Sequence, residues 1–196
     1  MLNKIFQIGF NRCATTSIYE YFKRNRVKSI HWGLGNIAKT MYHNNENNKP
    51  LLTGIDDYVM YSDMEAVIKD TDGVTRNIYA YKEYYKTLDK QYPGSRFILN
   101  IRKIDSWIES RKKHKTYLKD MLNIYGCNQD ELIQMWRVHF QEHINDVLCY
   151  FKHRETDLIV YDIDTDNSEK LVNAFKGVLQ LKPMPLPKLN RNVSKI

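Results

Sequence analysis

Short apolar runs bounded by glycine, proline and polar clusters alternate along this chain with longer stretches of helical periodicity. Lys4 to Ile8 is a run of strand formers that stops at Gly9, and Thr15 to Lys23 then places Ile18, Tyr21 and Phe22 on one helical face. Val27 to Trp32 reads as a second strand. Gly33 and Gly35 loosen the chain before a helical pattern over Asn36 to Tyr42, and the asparagine-rich stretch His43 to Pro50 reads as a loop. A third strand is predicted over Tyr58 to Tyr61, with Ser62, Asp63 and Met64 at its carboxyl end, followed by Glu65 to Lys69 and a polar turn through Asp72 and Gly73. Helix is expected from Ile78 to Tyr92, where Pro93 and Gly94 end it.

Arg96 to Ile101 is the clearest strand, the near-continuous apolar run of a strand covered on both faces of a parallel sheet. Ser106 followed three residues later by Glu109 is a capping-box pattern and predicts a helix from there to Leu122. Glu131 to Phe151 sets Leu132, Trp136, Phe140, Ile144, Val147 and Phe151 on one stripe of a long helix. Leu158 to Tyr161 is the last strand and Ser168 to Leu179 the last helix, while Pro183, Pro185 and Pro187 keep the tail extended. This alternation predicts an α/β fold with a doubly wound, mainly parallel sheet of about five strands, of the P-loop nucleotide-binding type, with ligands at the carboxyl ends of the strands. Residues 1–196 are expected to form a single domain.

Composition narrows the partners. With 42% hydrophobic and 27% charged residues the chain is not a disordered one, and its net charge of +7 favours anionic ligands. The densest basic stretch, Arg111 to Lys115, is interrupted by His114 and reads as a solvated helix face, so nucleic acid is not the expected partner. Three cysteines, an odd number without metal-ligand spacing, argue against a disulfide scaffold and for a reducing, cytoplasmic setting. Met1 to Phe10 lacks the apolar core of a signal peptide, and no window approaches the ~18 apolar residues of a membrane span.

The first candidate site is the loop Gly9-Phe10-Asn11-Arg12-Cys13-Ala14-Thr15-Thr16-Ser17, between a strand and a helix, where backbone N–H groups collect an anion. Arg12 can grip phosphate or sulfate oxygens with its fork, and the hydroxyls of Thr15, Thr16 and Ser17 add donors. The plainer alternative is a capped helix beside a surface arginine. A nucleoside triphosphatase loop ends in Gly-Lys-Ser/Thr, whereas Ala14 and Thr15 stand here at the glycine and the lysine. Cys13 raises a cysteine phosphatase as another alternative, but no arginine follows it within the loop. The second site is the end of the strand Arg96 to Ile101, where Arg102, with Ser110 in the following helix, can hold a phosphate or serve as a structural ion-pair partner.

In these two segments the chain resembles the sulfotransferases that use 3′-phosphoadenosine-5′-phosphosulfate (PAPS), and in particular their compact soluble branch. Arg12, Thr15, Thr16 and Ser17 match that family's 5′-phosphosulfate loop, and Arg102 and Ser110 its 3′-phosphate pair, with Trp107 between them. The run Tyr92 to Leu99, the stretch Tyr150-Phe151 with Arg154, Leu158 to Asp162 and the tail Pro187 to Asn190 are similar as well. Ala14, where the family prefers glycine, and Lys103-Ile104, where it prefers an acidic residue and proline, depart from the pattern.

The resemblance implies a cofactor-binding set of Arg12, Cys13, Ala14, Thr15, Thr16, Ser17, Arg102 and Ser110. It also implies in-line transfer to an acceptor hydroxyl or amine, on a small molecule, glycan, lipid or peptide, without a metal. Arg12 would stabilise the leaving oxygen, and Asp63 or else His31 would take the acceptor's proton. A P-loop small-molecule kinase and a non-catalytic nucleotide-binding module are the competing readings. The H-x-x-E-H pattern of His139 and His143 puts two histidines on one helix face, but it needs a further zinc ligand and the chain leaves little room after it.

Overall fold

The computed structural model describes residues 4–69 and 73–187. Seven strands are present among them: β1 (Ile5–Gln7), β2 (Ser29–His31), β3 (Met60–Ser62), β4 (Glu65–Lys69), β5 (Thr75–Tyr79), β6 (Arg96–Ile101) and β7 (Leu158–Asp162). Five form a parallel sheet in the order β2-β3-β1-β6-β7, and β4 and β5 form a separate antiparallel hairpin. The helices are α1 (Thr15–Arg24), α2 (Asn36–Glu46), α3 (Ala80–Glu83), α4 (Tyr85–Gln91), α5 (Ile104–Lys112), α6 (Lys115–Tyr125), α7 (Gln129–Tyr150) and α8 (Ser168–Ala174). None is long and apolar enough to cross a membrane.

The period of two along β1 and β6 sends alternate side chains to opposite faces. Phe6, Ile8, Phe97 and Leu99 join the larger cluster with Trp107, Trp136, Phe140 and Val147. Ile5 and Ile98 join the smaller one with Ile18, Tyr21, Phe22, Leu171 and Phe175. Both faces of the sheet are therefore covered by helices, which is why β6 reads as a near-continuous apolar run. The tail packs over α1, where Tyr21 Oη donates to the Lys182 carbonyl at 3.0 Å and Lys182 N to Asn25 Oδ1 at 2.7 Å.

Several expectations are corrected. Ile78 and Tyr79 belong to β5, because the stretch from Thr75 alternates against β4 (Glu65 opposite Tyr79), so helix begins only at Ala80 and is interrupted at Tyr84. Asp70 to Asp72, which include part of the expected polar turn, lie outside the described residues, as do Lys188 to Asn190 of the tail. Helix α2 continues through Glu46, taking in the first four residues of the expected asparagine loop; just before its end Asn44 Nδ2 donates to the carbonyls of Leu51 and Thr53.

The Ser106/Glu109 pattern does not cap a helix. Helix α5 starts earlier, at Ile104, and Asp164 Oδ2 accepts from Lys103 N at 3.0 Å. A second helix, α6, starts after His114, whose ring accepts from Tyr117 N. The capping box belongs to α7, between Asn128 and Glu131. Helix α8 stops at Ala174, five residues short of the expected Leu179.

Candidate active site

The strand order fixes what stands beside what at the carboxyl edge of the sheet. From one side to the other come Trp32 after β2, Asp63 after β3, the loop 9–17 after β1, Arg102 after β6 and Asp164 after β7. All of these strand ends contribute to one cleft of ≈ 1770 Å³.

Loop 9–17 is pinned to β6 by a polar residue in the apolar run. Buried Asn100 accepts from Gly9 N (3.1 Å) and donates to the Cys13 carbonyl (2.7 Å). Gly9 has to lack a side chain, because a Cβ there would stand 2.2 Å from the Asn100 carbonyl oxygen. Helix α1 then begins after Ala14 with no side-chain cap on its first N–H groups, so the positive helix end opens into the cleft. Ala14 itself sits at φ 59°, the left-handed conformation that favours the glycine the family prefers. Ala14→Gly should therefore raise thermal stability by about 2–4 °C, the effect of roughly 1 kcal/mol in a chain of this size. A lower melting temperature would show that the alanine methyl group is itself packed productively.

The two candidate arginines stand side by side. Arg102 Nη1 donates to the Arg12 carbonyl (3.2 Å), and Arg12 Nε donates to Ser110 Oγ (3.1 Å). The two sites read as separate in the sequence thus form one cluster. Burial and, secondarily, the neighbouring Arg102 push the Arg12 pKa down, against the opposing pull of Asp63. Among the described residues Arg102 Nε is buried without a partner, and Asp164 stands 3.9 Å from that guanidinium. Thr15, Thr16 and Ser17 line the same cleft. Together these groups make one end of the cleft cationic and rich in hydrogen-bond donors.

On the other side of the loop are His31 and Asp63, with 3.6 Å between His31 Nε2 and Asp63 Oδ2 and only 18% of each side chain exposed. Burial pushes the His31 pKa down to about 4, so the ring is neutral and the approach is not an ion pair. Ser62 Oγ donates to Gln7 Oε1 (2.5 Å), so it accepts from His31 Nδ1–H at 3.1 Å. The lone pair on Nε2 consequently faces Thr16 Oγ1, 3.2 Å away, and Asp63. Burial and, secondarily, Glu65 raise the Asp63 pKa to about 7, against the opposing pull of Arg111 and Arg12. A carboxyl with that pKa is matched to proton transfer near neutrality.

Beneath the cleft lies a residue expected on a solvated face. Arg111 is fully buried and donates twice to Asn11 Oδ1 (3.0 and 2.8 Å), its guanidinium carbon 4.3 Å from the Trp107 ring centroid and 5.0 Å from those of Tyr117 and Trp136. Glu65 stands 3.9 Å away and accepts from Tyr117 Oη and Asn77 Nδ2. Trp107 Nε1 donates to the Asn11 carbonyl, so two side chains of α5 hold the start of loop 9–17. Asn100, Glu65 and Arg111 are therefore site-building residues that the sequence reading missed. The available signal for Arg111 was its position four residues after Trp107, on the apolar face of the helix.

Two alternatives lose their footing. Cys13 is completely buried and its thiol is pushed up to about 12, so it is no thiolate nucleophile. His143 lies in the core with Nε2 donating to the Ile8 carbonyl (2.6 Å). Among the described residues no group of three or more His, Cys, Asp and Glu side chains is arranged to hold a metal ion.

An α/β sheet that gathers an arginine pair, an open helix end and a buried carboxyl along its carboxyl edge has the equipment of a group-transfer enzyme. The chain matches the family model described as the sulfotransferase domain over residues 4–174, and it belongs to that family. Comparison with curated proteins gives no match. A sulfotransferase domain supports sulfotransfer activity, and with it a transferase enzyme.

Proposed function

We propose that the chain, acting as one domain, transfers the sulfuryl group of PAPS to an acceptor hydroxyl or amine and releases adenosine 3′,5′-bisphosphate. The observation that carries this reading is the placement of Arg12 and Arg102 in direct contact on one side of the loop, with Asp63 on the other. The nucleotide then lies over β1, β6 and β7 and the acceptor over β2 and β3, with the sulfur between them. Loop 9–17 and the α1 N-terminus hold the 5′-phosphosulfate, and Arg102 with Ser110 the 3′-phosphate. The acceptor oxygen attacks sulfur in line with the departing 5′-phosphate oxygen, Asp63 takes the acceptor's proton, and Arg12 stabilises the charge left on the phosphate. His31 stays neutral beside Asp63, with its Nε2 lone pair toward Thr16 Oγ1.

Calorimetry tests the donor assignment. Adenosine 3′,5′-bisphosphate should bind at least ten-fold more tightly than adenosine 5′-monophosphate, the order of one charge-assisted hydrogen bond or more. Arg102→Ala should weaken the bisphosphate about 10–100-fold and leave the monophosphate nearly unchanged. Equal weakening of both would move the 3′-phosphate elsewhere, and tighter binding of ATP than of the bisphosphate would refute the donor.

A further inference from the structure

Resting on the proposed transfer reaction, we infer that the acceptor carries its hydroxyl on an apolar skeleton, as an aryl or alkyl alcohol, and that Trp32, Leu34 and Val67 form the wall that receives it. The segment after β2 is unusual in its backbone. Trp32, Gly33, Leu34 and Gly35 have φ values of 52°, 59°, 57° and 81°, four successive left-handed residues. Hydrogen bonds from Gly35 N to the Trp32 carbonyl (3.1 Å) and from Asn36 N to the Gly33 carbonyl (3.0 Å) close this turn.

Glycine suits such a conformation and occupies two of the positions, whereas bulky residues are disfavoured there. Trp32 and Leu34 are nonetheless large, and burial does not account for them, since they are 44% and 78% exposed. Neither backbone preference nor core packing explains these two side chains, so what remains is what they face.

Both line the cleft, together with Gly35, Lys39, Ala66 and Val67, the last 40% exposed. Half of the six large hydrophobic side chains that are exposed among the described residues thus gather in this one cleft. Gly35 fixes the turn against the hairpin, because a Cβ there would stand 3.0 Å from Ala66 Cβ. The wall is continuous with the candidate base: Trp32 N donates to the Ser62 carbonyl (2.9 Å), and Glu65 N to the Asp63 carbonyl (3.0 Å). Its one charged group over residues 32–39 and 66–67 is Lys39. A polyhydroxylated sugar would need several converging hydrogen-bonding groups on such a wall, while an apolar skeleton gains by covering it.

Trp32 reports its own occupancy, because the other two tryptophans, Trp107 and Trp136, are fully buried. In the full chain saturated with adenosine 3′,5′-bisphosphate, 4-tert-butylphenol should produce a saturable blue shift of tryptophan emission that Trp32→Phe removes. Methyl β-glucoside should produce none. Leu34→Gly and Val67→Ser should each weaken the phenol about 5–10-fold, as loss of partly covered apolar area requires. Glycine accepts the left-handed turn, so Leu34→Gly should keep or raise the melting temperature.

Unchanged phenol affinity in both variants, or tighter binding of the glucoside, would overturn the assignment. A fall in melting temperature for Leu34→Gly would overturn it too, by showing that the side chain serves the fold. The two readings fail separately. Saturable phenol binding without sulfuryl transfer to any alcohol or amine refutes the proposed function and leaves the apolar wall standing, whereas transfer to sugars without phenol binding does the reverse.

Discussion

Arg12→Ala should lower the rate of sulfuryl transfer at saturating donor about 10²–10³-fold, the loss seen when one preorganised donor to a developing oxyanion is removed. The fold should survive the change. Among the described residues the Arg12 guanidinium donates to Ser110 Oγ, while the loop itself is held by Asn100, Trp107 and Arg111. Its backbone φ of 65° favours glycine, so Arg12→Gly is a companion variant free of added backbone strain and should lose the same activity. Arg12→Lys keeps the charge but not the fork and should recover only part of the rate. Stopped-time transfer assays beside far-UV circular dichroism measure both quantities. Unchanged turnover in a folded Arg12→Gly protein would remove this residue from the chemistry and leave the positive end of α1 as the sole stabiliser.

What the sequence revealed and what it hid follow from how local each signal is. Strand β6 was legible to the residue because burial on both faces leaves an apolar run that needs no partner to be recognised. The stripe of α7 was legible for the same reason. The strand, turn and helix start around loop 9–17 were readable because the apolar run, the glycine and the hydroxyl-rich helix start are adjacent in the chain. The hairpin of β4 and β5 was not, since Ile78 and Tyr79 fit a helical period as well as a strand and only pairing with Ala66 and Glu65 decides between them. Arg111 was hidden by its charge: a guanidinium is expected in solvent, and here it is buried because Asn11, Glu65 and three aromatic rings from other segments surround it. The proximity of Arg12 to Ser110, 98 residues apart, is likewise a product of the strand order and of nothing local.

Asp63→Asn separates the two candidate bases and carries the second large effect. The wild-type rate constant for transfer should rise with pH through about 7, as the Asp63 carboxylate forms. His31, held near 4, contributes no such limb. Asparagine should lower kcat about 10²–10⁴-fold and abolish that limb. The substitution is conformationally fair, because Asp63 lies at φ 55° and asparagine tolerates the left-handed region. Stability should move the opposite way. The folded protein keeps the Asp63 proton up to about pH 7, whereas an unfolded chain releases it near pH ~4. Between those values the folded state binds more protons, so this residue's contribution is full below pH ~4 and is lost as pH rises through about 7. The asparagine side chain cannot ionise, so thermal melts should show the variant at least as stable as wild type at pH 8, with the difference closing toward pH 5. An active Asp63→Asn protein whose rate falls only near pH 4 would transfer the role to His31. A variant that is inactive and destabilised at pH 8 would make Asp63 a structural carboxylate instead.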